Sequence, residues 1–335
     1  MMTHRCNFVS SSVTPWLSAI ALGALLISCG NSSDNVAESD CSRPEKMAER
    51  FCDDNGDLVA DTPEETVDPD TLVFAYTPVE DPAVYRDVWA GFIDHMEEVT
   101  GKDVEFFAVD SNSAQLEAMR AGRLHVAGFN TGSVPFAVNF AGFVPFTMMA
   151  SEDESFGYEM EIIVPADSSI DKVEDLEGEQ IAFTSQTSNS GFKAPSALLE
   201  SEFDFIEDRD FSSTFSGSHE NSILGIVNED YQAASIANSV SSRMMSRGVV
   251  EDEDFRTIYT SETFPTTAYG HAHNLDPQLQ EDIEEAFETF EWEGSALKEE
   301  FSESGESQFI PITYEEHWEI IRTIDDTLGV EYENP

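Results

Sequence analysis

The chain has 335 residues, 40% of them hydrophobic and 11% aromatic, and its 16 basic and 67 acidic side chains leave a net charge of -51. That balance excludes nucleic acids and anionic membrane surfaces as generic partners, because both are bound through basic patches. The apolar residues are spread evenly and clearly patterned, which excludes disorder; a folded, acidic, lysine-poor chain suits a salt-rich (halophilic) setting, where counterions screen self-repulsion.

The first stretch, "MMTHRCNFVSSSVTPWLSAIALGALLISCG", has a basic start at Arg5 and an apolar run from Leu17 to Ile27. The run is too short for a comfortable membrane span and reads as a secretory signal over residues 1–28. Its ending, Leu26-Ile27-Ser28-Cys29, resembles the bacterial lipobox. The resemblance implies cleavage before Cys29, a lipid on its sulfur, and anchoring to a membrane in the periplasm or cell envelope. The alternative is an ordinary signal with an accidental cysteine. With Cys6 removed, Cys41 and Cys52 remain in an oxidising compartment and are expected to form one local disulfide. Residues 29–70 are polar and acidic and read as a tether. Within them "DDNGDLVAD" spaces Asp53, Asn55, Asp57 and Asp61 loosely like a calcium loop, but Leu58 stands where that pattern requires glycine. An acidic turn around Asn55-Gly56 is the expected structure.

From Thr71 the pattern becomes regular. "TLVFAY" reads as a buried strand. The next segment opens with Asp81 as helix cap and Pro82 at the first helical position. It carries Val84, Val88, Trp89, Phe92 and Met96 on one face and closes at Gly101. "VEFFAV" is a second strand, "SAQLEAMRAG" a helix, and "LHVAGF" a third strand; the alternation predicts βαβ units and a parallel sheet. The pattern resumes with the strand "EIIVPA", a short helix, a turn at Gly178 and the strand "QIAF". It continues through a helix, "SSTF", a helix over 220–228 and the strand "QAASIA". "FRTIYT", "TAYGHAH" and helices from Pro277 and Tyr314 complete it. The expected architecture is α/β with two lobes, 71–160 plus 260–335 and 161–259, and a ligand cleft between them.

Between "GEQIAF" and its helix lies "TSQTSNSG", an uncharged, hydroxyl-rich turn in a chain rich in acid. The first N–H groups of a helix have no intrahelical partner and carry partial positive charge, so an anion is favoured there. Ser188, Asn189 and Ser190 add neutral donors, and Gly191 leaves room for a ligand against the backbone. The competing interpretation is a cap cluster that serves only its own helix. "SGSHENSILGIVN" then places His219 at the start of another helix, where an imidazole can donate to the same anion.

Three segments carry a resemblance: "GYEMEIIVPADSSIDKVEDLEGEQIAFTSQTSNSGFKAPSALL", "GSHENSILGIVNEDYQAASI" and "TPVEDPAVY". Together they resemble the phosphate/phosphite/phosphonate-binding family of periplasmic ABC-transporter proteins, over roughly residues 72–330. The resemblance implies a two-lobed, hinged periplasmic-binding-protein fold (type II), no catalysis and no cofactor. It implies an ABC permease as partner and a phosphorus oxyanion (phosphite, phosphate or a small phosphonate) as ligand. The protein is expected to be a monomer. The family's ligand-holding residues map to Tyr158, Ser188, Asn189, Ser190 and His219, with Asn189 in place of the usual threonine. In the first lobe Asn112 stands where the family carries a tyrosine, and Thr131 in "GFNTGS" is a further candidate. Members that take aminoalkyl phosphonates pair the amine with two carboxylates, and here those positions fall at Ser239 and Thr267. Glu229 or Glu262 is the acid that could swing in instead. The preferred ligand is therefore expected to lack an ammonium group, which would be buried without a counter-charge.

Two other functions compete. A hydrolase would use Ser188 or Ser190 with His219, but no Gly-x-Ser-x-Gly elbow, Walker A loop or His-Glu-x-x-His accompanies them. A zinc-type metal receptor would use His271 and His273 of "GHAHN", which face one side of a strand, joined by His125 or His219. The bland interpretation places His271 and His273 on the return strand near the hinge.

Overall fold

The computed structural model describes residues 41–78, 82–302 and 305–333. The signal peptide, Cys29, residues 30–40 of the acidic segment and Asp81 lie outside the described residues. The strand–helix alternation begins with β1 (Thr71–Ala75), α1 (Pro82–Thr100), β2 (Asp103–Phe106), α2 (Asn112–Arg120) and β3 (Val126–Phe129). β1 lies between β2 and β3, parallel to both, with Leu72 opposite Val104 and Phe74 opposite Val126. α1 buries Tyr85, Trp89, Phe92 and Met96. Val84 is exposed, so the buried stripe starts one residue later than predicted, and Tyr85 becomes a core residue.

The chain continues through α3 (Val134–Phe136) and a π-helical turn (Ala137–Ala141) into β4 (Phe143–Ala150). β4 is absent from the sequence-based expectations, because Pro145 removes a ladder donor from an otherwise apolar run. The sheet accommodates it with a register shift between Tyr269 and Gly270, where the facing strand passes Pro145.

A second sheet follows, with β5 (Tyr158–Pro165), β6 (Gln180–Phe183), α4 (Ala194–Phe203), β7 (Ser212–Phe215) and α5 (His219–Val227). It is completed by β8 (Ala233–Ala237), α6 (Asn238–Ser246) and β9 (Phe255–Phe264). The chain then returns to the first sheet as β10 (Ala268–Ala272), α7 (Pro277–Glu288), α8 (Ala296–Phe301) and β11 (Gln308–Pro311). It ends in α9 (Tyr314–His317) and α10 (Glu319–Thr327). The strand orders are β11-β4-β10-β3-β1-β2 and β7-β6-β8-β5-β9.

Two expectations change. The sheets are mixed rather than parallel: β10 runs antiparallel to β3 and β4, and β5 runs antiparallel to β8 and β9. Only strands joined by a local helical crossover are bound to be parallel; strands that arrive from the other lobe are not. The lobes also divide at 151–157 and 265–267, between β4 and β5 and between β9 and β10. Residues 158–160 and 260–264 thus belong to the second sheet, where Tyr158 pairs with Phe264.

Each lobe has its own core. Trp89, Phe92, Tyr269 and Phe287 sit together in the first, with Phe92 and Phe287 ring centroids 4.5 Å apart. In the second sheet Ile163 joins one apolar cluster while its neighbours Ile162 and Val164 join another. The sheet is therefore covered on both faces.

Residues 41–70 are a docked strap, not a tether. Cys41 and Cys52 are joined as a disulfide, and Met47, Phe51 and Ala60 form a small buried cluster. The Ala48 N–H donates to Asn139 O at 2.9 Å, and Val67 exchanges backbone hydrogen bonds with Asn274 and Asp276, 2.8 Å each. The acidic average of the segment conceals these few apolar anchors. Around Asn55-Gly56 the Asp53 carboxylate accepts the N–H groups of Gly56, Asp57 and Leu58, at 2.8, 3.1 and 3.1 Å. Leu58 takes the left-handed conformation, φ 68°.

Candidate functional site

The hydroxyl-rich turn leaves β6 and starts a helix through a π-helical turn, Asn189–Lys193, that runs into α4. Ser188 is the cap: its backbone is extended, and its Oγ accepts the Gly191 N–H at 3.1 Å. The same Oγ lies 3.4 Å from His219 Nε2, so the two motifs meet in space. Gly191 is required for a different reason than expected. A Cβ there would lie 2.0 Å from Thr184 Oγ1, so the missing side chain lets the turn pack on its own strand rather than admitting a ligand.

His219 opens α5, whose cap Ser218 accepts the Asn221 N–H at 3.1 Å. His219 Nδ1 accepts the Ala237 N–H at 3.1 Å. A neutral imidazole accepting on Nδ1 carries its proton on Nε2, the nitrogen turned toward Ser188. Burial, reinforced by the positive field of Arg243, pulls its pKa down to about 3. At neutral pH His219 is thus an uncharged donor with a fixed tautomer.

Asn189 Nδ2 donates to Tyr158 Oη at 3.3 Å, while Asn189 Oδ1 is buried with no protein partner. Exchanging the two amide atoms lets Tyr158 donate to Oδ1 and turns the NH2 to the unsatisfied position, the orientation an oxyanion selects. Ser190 is buried, and its carbonyl accepts from Ser235 Oγ at 2.7 Å.

Tyr158, Ser188, Asn189, Ser190, His219 and Thr131 line one cavity between the lobes, of about 40 Å³. A single water needs ~10–15 Å³ on this scale, so the space suits a small polar group. Ser239 and Thr267 line it too. Thr131 borders it with its hydroxyl already committed, donating to Pro265 O at 2.7 Å on the return crossing. Asn112 lies outside the cavity. Its Nδ2 donates to Ser185 Oγ and Thr187 Oγ1 at 3.1 and 3.0 Å, which makes it a bridge between the lobes.

That bridge has company. Ser133 Oγ donates to Thr187 Oγ1 at 3.1 Å. A Cβ on Gly132 would lie 2.2 Å from Thr187 O and 2.4 Å from Asn189 N, so only glycine permits this approach of the first lobe to the turn. Lys193 is buried, donates to Gly132 O at 2.9 Å and pairs with the buried Asp325 at 2.6 Å. The lobes are closed on each other around the cavity.

Sequence reasoning missed the charges. Among the described residues that line the cavity, Arg243 of α6 is the one cation and Glu306 the one carboxylate. Tyr76, Tyr269 and Met149 also line the first-lobe wall. Arg243 reads in the sequence as one polar residue in "NSVSSRMMS", with nothing to mark its burial.

The histidines of the metal alternative do not converge. His271 Nδ1 contacts Ala272 O at 3.1 Å, and its Nε2 lies 3.5 Å from Glu284. His273 packs edge-on against Phe51, and burial lowers its pKa to about 4. His125 Nδ1 accepts the Val73 N–H at 3.0 Å. Among the described residues no group of three or more His, Cys, Asp or Glu is placed to hold a metal.

The family model for the ABC-transporter phosphonate periplasmic substrate-binding protein matches residues 74–318. The chain belongs to this family. It is 26% identical over 273 residues to the phosphate-import protein PhnD of Mycolicibacterium smegmatis, covering 77% of this chain and 82% of that protein. Among solved structures it is similar to a binding-protein component of an ABC phosphonate transporter from Pseudomonas aeruginosa. That match has a TM-score of 0.70 and 19% identity, over 77% of this chain and 86% of the other. It is also similar to PhnD1 of Prochlorococcus marinus in complex with methylphosphonate, with a TM-score of 0.68 and 15% identity, over 78% of this chain and all of the other. Two lobes, each with its own mixed sheet, are the fold of these periplasmic binding proteins. Family membership identifies the protein as a periplasmic substrate-binding component of an ABC importer.

Proposed function

We propose that this family member captures a phosphorus oxyanion (phosphite, phosphate or a small phosphonate) between its lobes and delivers it to an ABC permease. The observation that carries the reading is the meeting of two helix starts at one buried point, Ser188 Oγ 3.4 Å from His219 Nε2. Helix N-termini direct partial positive charge and N–H groups at that point. Ser188, Asn189, Ser190, His219 and Tyr158 are the proposed ligand contacts, and closure of the lobes is the capture step. The ligand lacks an ammonium group, since Ser239 and Thr267 are neutral and the one carboxylate among the described lining residues, Glu306, is offset by Arg243. Cys29 carries the lipid anchor, and the protein works as a monomer in the periplasm or cell envelope.

Calorimetry of the purified protein against phosphate, phosphite, methylphosphonate and 2-aminoethylphosphonate tests this. At least one of the first three is expected to bind, and to bind more tightly than 2-aminoethylphosphonate. Heat of binding from none of the four overturns the proposal.

A further inference from the structure

The cavity wall contains a charge pair that the oxyanion contacts do not explain. Arg243 is 4% exposed. Its guanidinium hydrogen-bonds Tyr85, lies 5.4 Å above the Phe301 ring and stands 4.0 Å from Glu300. Glu300 is shared with Arg247 at 3.1 Å. A guanidinium clamped by a tyrosine, an aromatic face and a carboxylate cannot swing out to water, and Arg243 is among the residues that line the cavity. Tyr76 and Thr267 line the same wall. Glu306 is the acid of the wall, its Oε1 accepting from Thr266 Oγ1 at 3.0 Å. Since His219 is neutral, Arg243 is the one formal positive charge among the described lining residues.

We propose that Arg243 is the residue that sets charge selectivity in this cavity. It supplies the counter-charge of the bound oxyanion and neutralises the field of Glu306, which would otherwise welcome an ammonium. The proposal rests on the oxyanion reading above and deepens it. A buried anion is stable only beside a fixed opposite charge or a dense set of donors. Neutral donors from the two helix starts meet one side of the ligand, and the guanidinium meets it from α6. For an aminoalkyl ligand the geometry reverses: its ammonium would share a desolvated space with Arg243, and the repulsion is undiminished by solvent.

The test is calorimetry of the full chain and its variants with inorganic phosphate, methylphosphonate and 2-aminoethylphosphonate, alongside ligand-free thermal melts. Arg243→Gln should weaken phosphate and methylphosphonate by about 10- to 150-fold. It should also raise the affinity of 2-aminoethylphosphonate relative to methylphosphonate by about tenfold or more, as Glu306 becomes available to the amine. Adding Glu306→Gln should abolish that rise. Arg243→Lys, which keeps the charge, should retain the discrimination against the amine even where overall affinity falls. If Arg243→Gln does not fold, Arg243→Lys carries the test, and loss of discrimination in it overturns the proposal. An unchanged ratio between the two phosphonates in folded Arg243→Gln also overturns it and leaves Arg243 a structural residue. Failure of the unsubstituted protein to bind any of the three is a different result, which strikes the oxyanion reading itself.

Discussion

Substituting His219 with alanine separates ligand binding from folding. The ring does two jobs: Nδ1 accepts the Ala237 N–H at 3.1 Å, and Nε2–H is turned to the Ser188 side of the cavity. Losing a donor to a charged ligand costs about 1.5–3 kcal/mol, a drop in affinity of about 12- to 160-fold. Losing the Nδ1 acceptor leaves a buried N–H unpaired and costs about 1–3 kcal/mol of stability. Titrations with phosphate and methylphosphonate measure the first effect, and denaturant melts the second. The pH dependence divides them further. Because the folded pKa is about 3, below the ordinary 6.5, the neutral ring's contribution to stability is complete above pH ~6.5. It is lost as pH falls toward ~3, at up to ~1.4 kcal/mol per unit. His219→Ala should flatten that part of the stability curve. Binding should show no such window: the ratio of the two proteins' affinities should stay constant from pH 5 to 8, because the ring is an uncharged donor throughout. Full affinity in a destabilised His219→Ala protein would refute the donor role, and a ratio that changes through pH 6.5 would refute the neutral ring.

Lys193→Met should lower stability by about 3–5 kcal/mol in denaturant melts, because it leaves Asp325 buried without its cation; burial already lowers the Lys193 pKa and raises that of Asp325, each resisted by the other. The double variant Lys193→Met/Asp325→Leu should recover most of that loss, and a double variant as weak as the single one would count against the pair. At a net charge of -51, the melting temperature should rise between dilute buffer and molar NaCl, where the Debye length falls to ~3 Å; a flat or falling curve argues against salt adaptation. Sulfate is to be avoided there, since it is itself an oxyanion and would compete at the proposed site. Mass spectrometry of the mature N-terminal fragment should find lipid on Cys29, and a mature chain beginning elsewhere would contradict the lipobox reading.

The local units of the fold were legible because their signals are local. Capping, periodicity and glycine stops place α1, α2, α5 and the parallel strands within a few residues. The larger arrangement was not, because it depends on what arrives from elsewhere in the chain. β4 carries a proline that only a register shift in β10 makes tolerable. The strap from residue 41 to 70 looks like a tether by composition, yet Met47, Phe51 and Val67 dock it at points that an average over the whole acidic segment erases. The lobe boundary shifted for the same kind of reason: β5 and β9 pair with each other along their length, from Tyr158 opposite Phe264 to Pro165 opposite Phe255. No single-strand pattern announces such a partner.

The site divides along the same line. Ser188 and His219 were legible because a polar, uncharged helix start is unusual in so acidic a chain, and both now sit at one cavity. Asn112, reached by counting, turned out to hold the lobes together. Arg243 was invisible because a polar helix with one arginine is ordinary, and only the packing of α6 against Tyr85 and Phe301 makes that arginine buried. Yet the composition argument points back to it. A chain with 67 acidic and 16 basic side chains repels anions at long range, and screening by salt shortens that repulsion to a few ångströms. What holds an oxyanion must then act at contact distance, in a space closed to water, where fixed dipoles and a single guanidinium outweigh a distant and screened negative surface. In the proposed site, neutral helix starts and one clamped arginine would meet that requirement without the basic patch that the composition rules out.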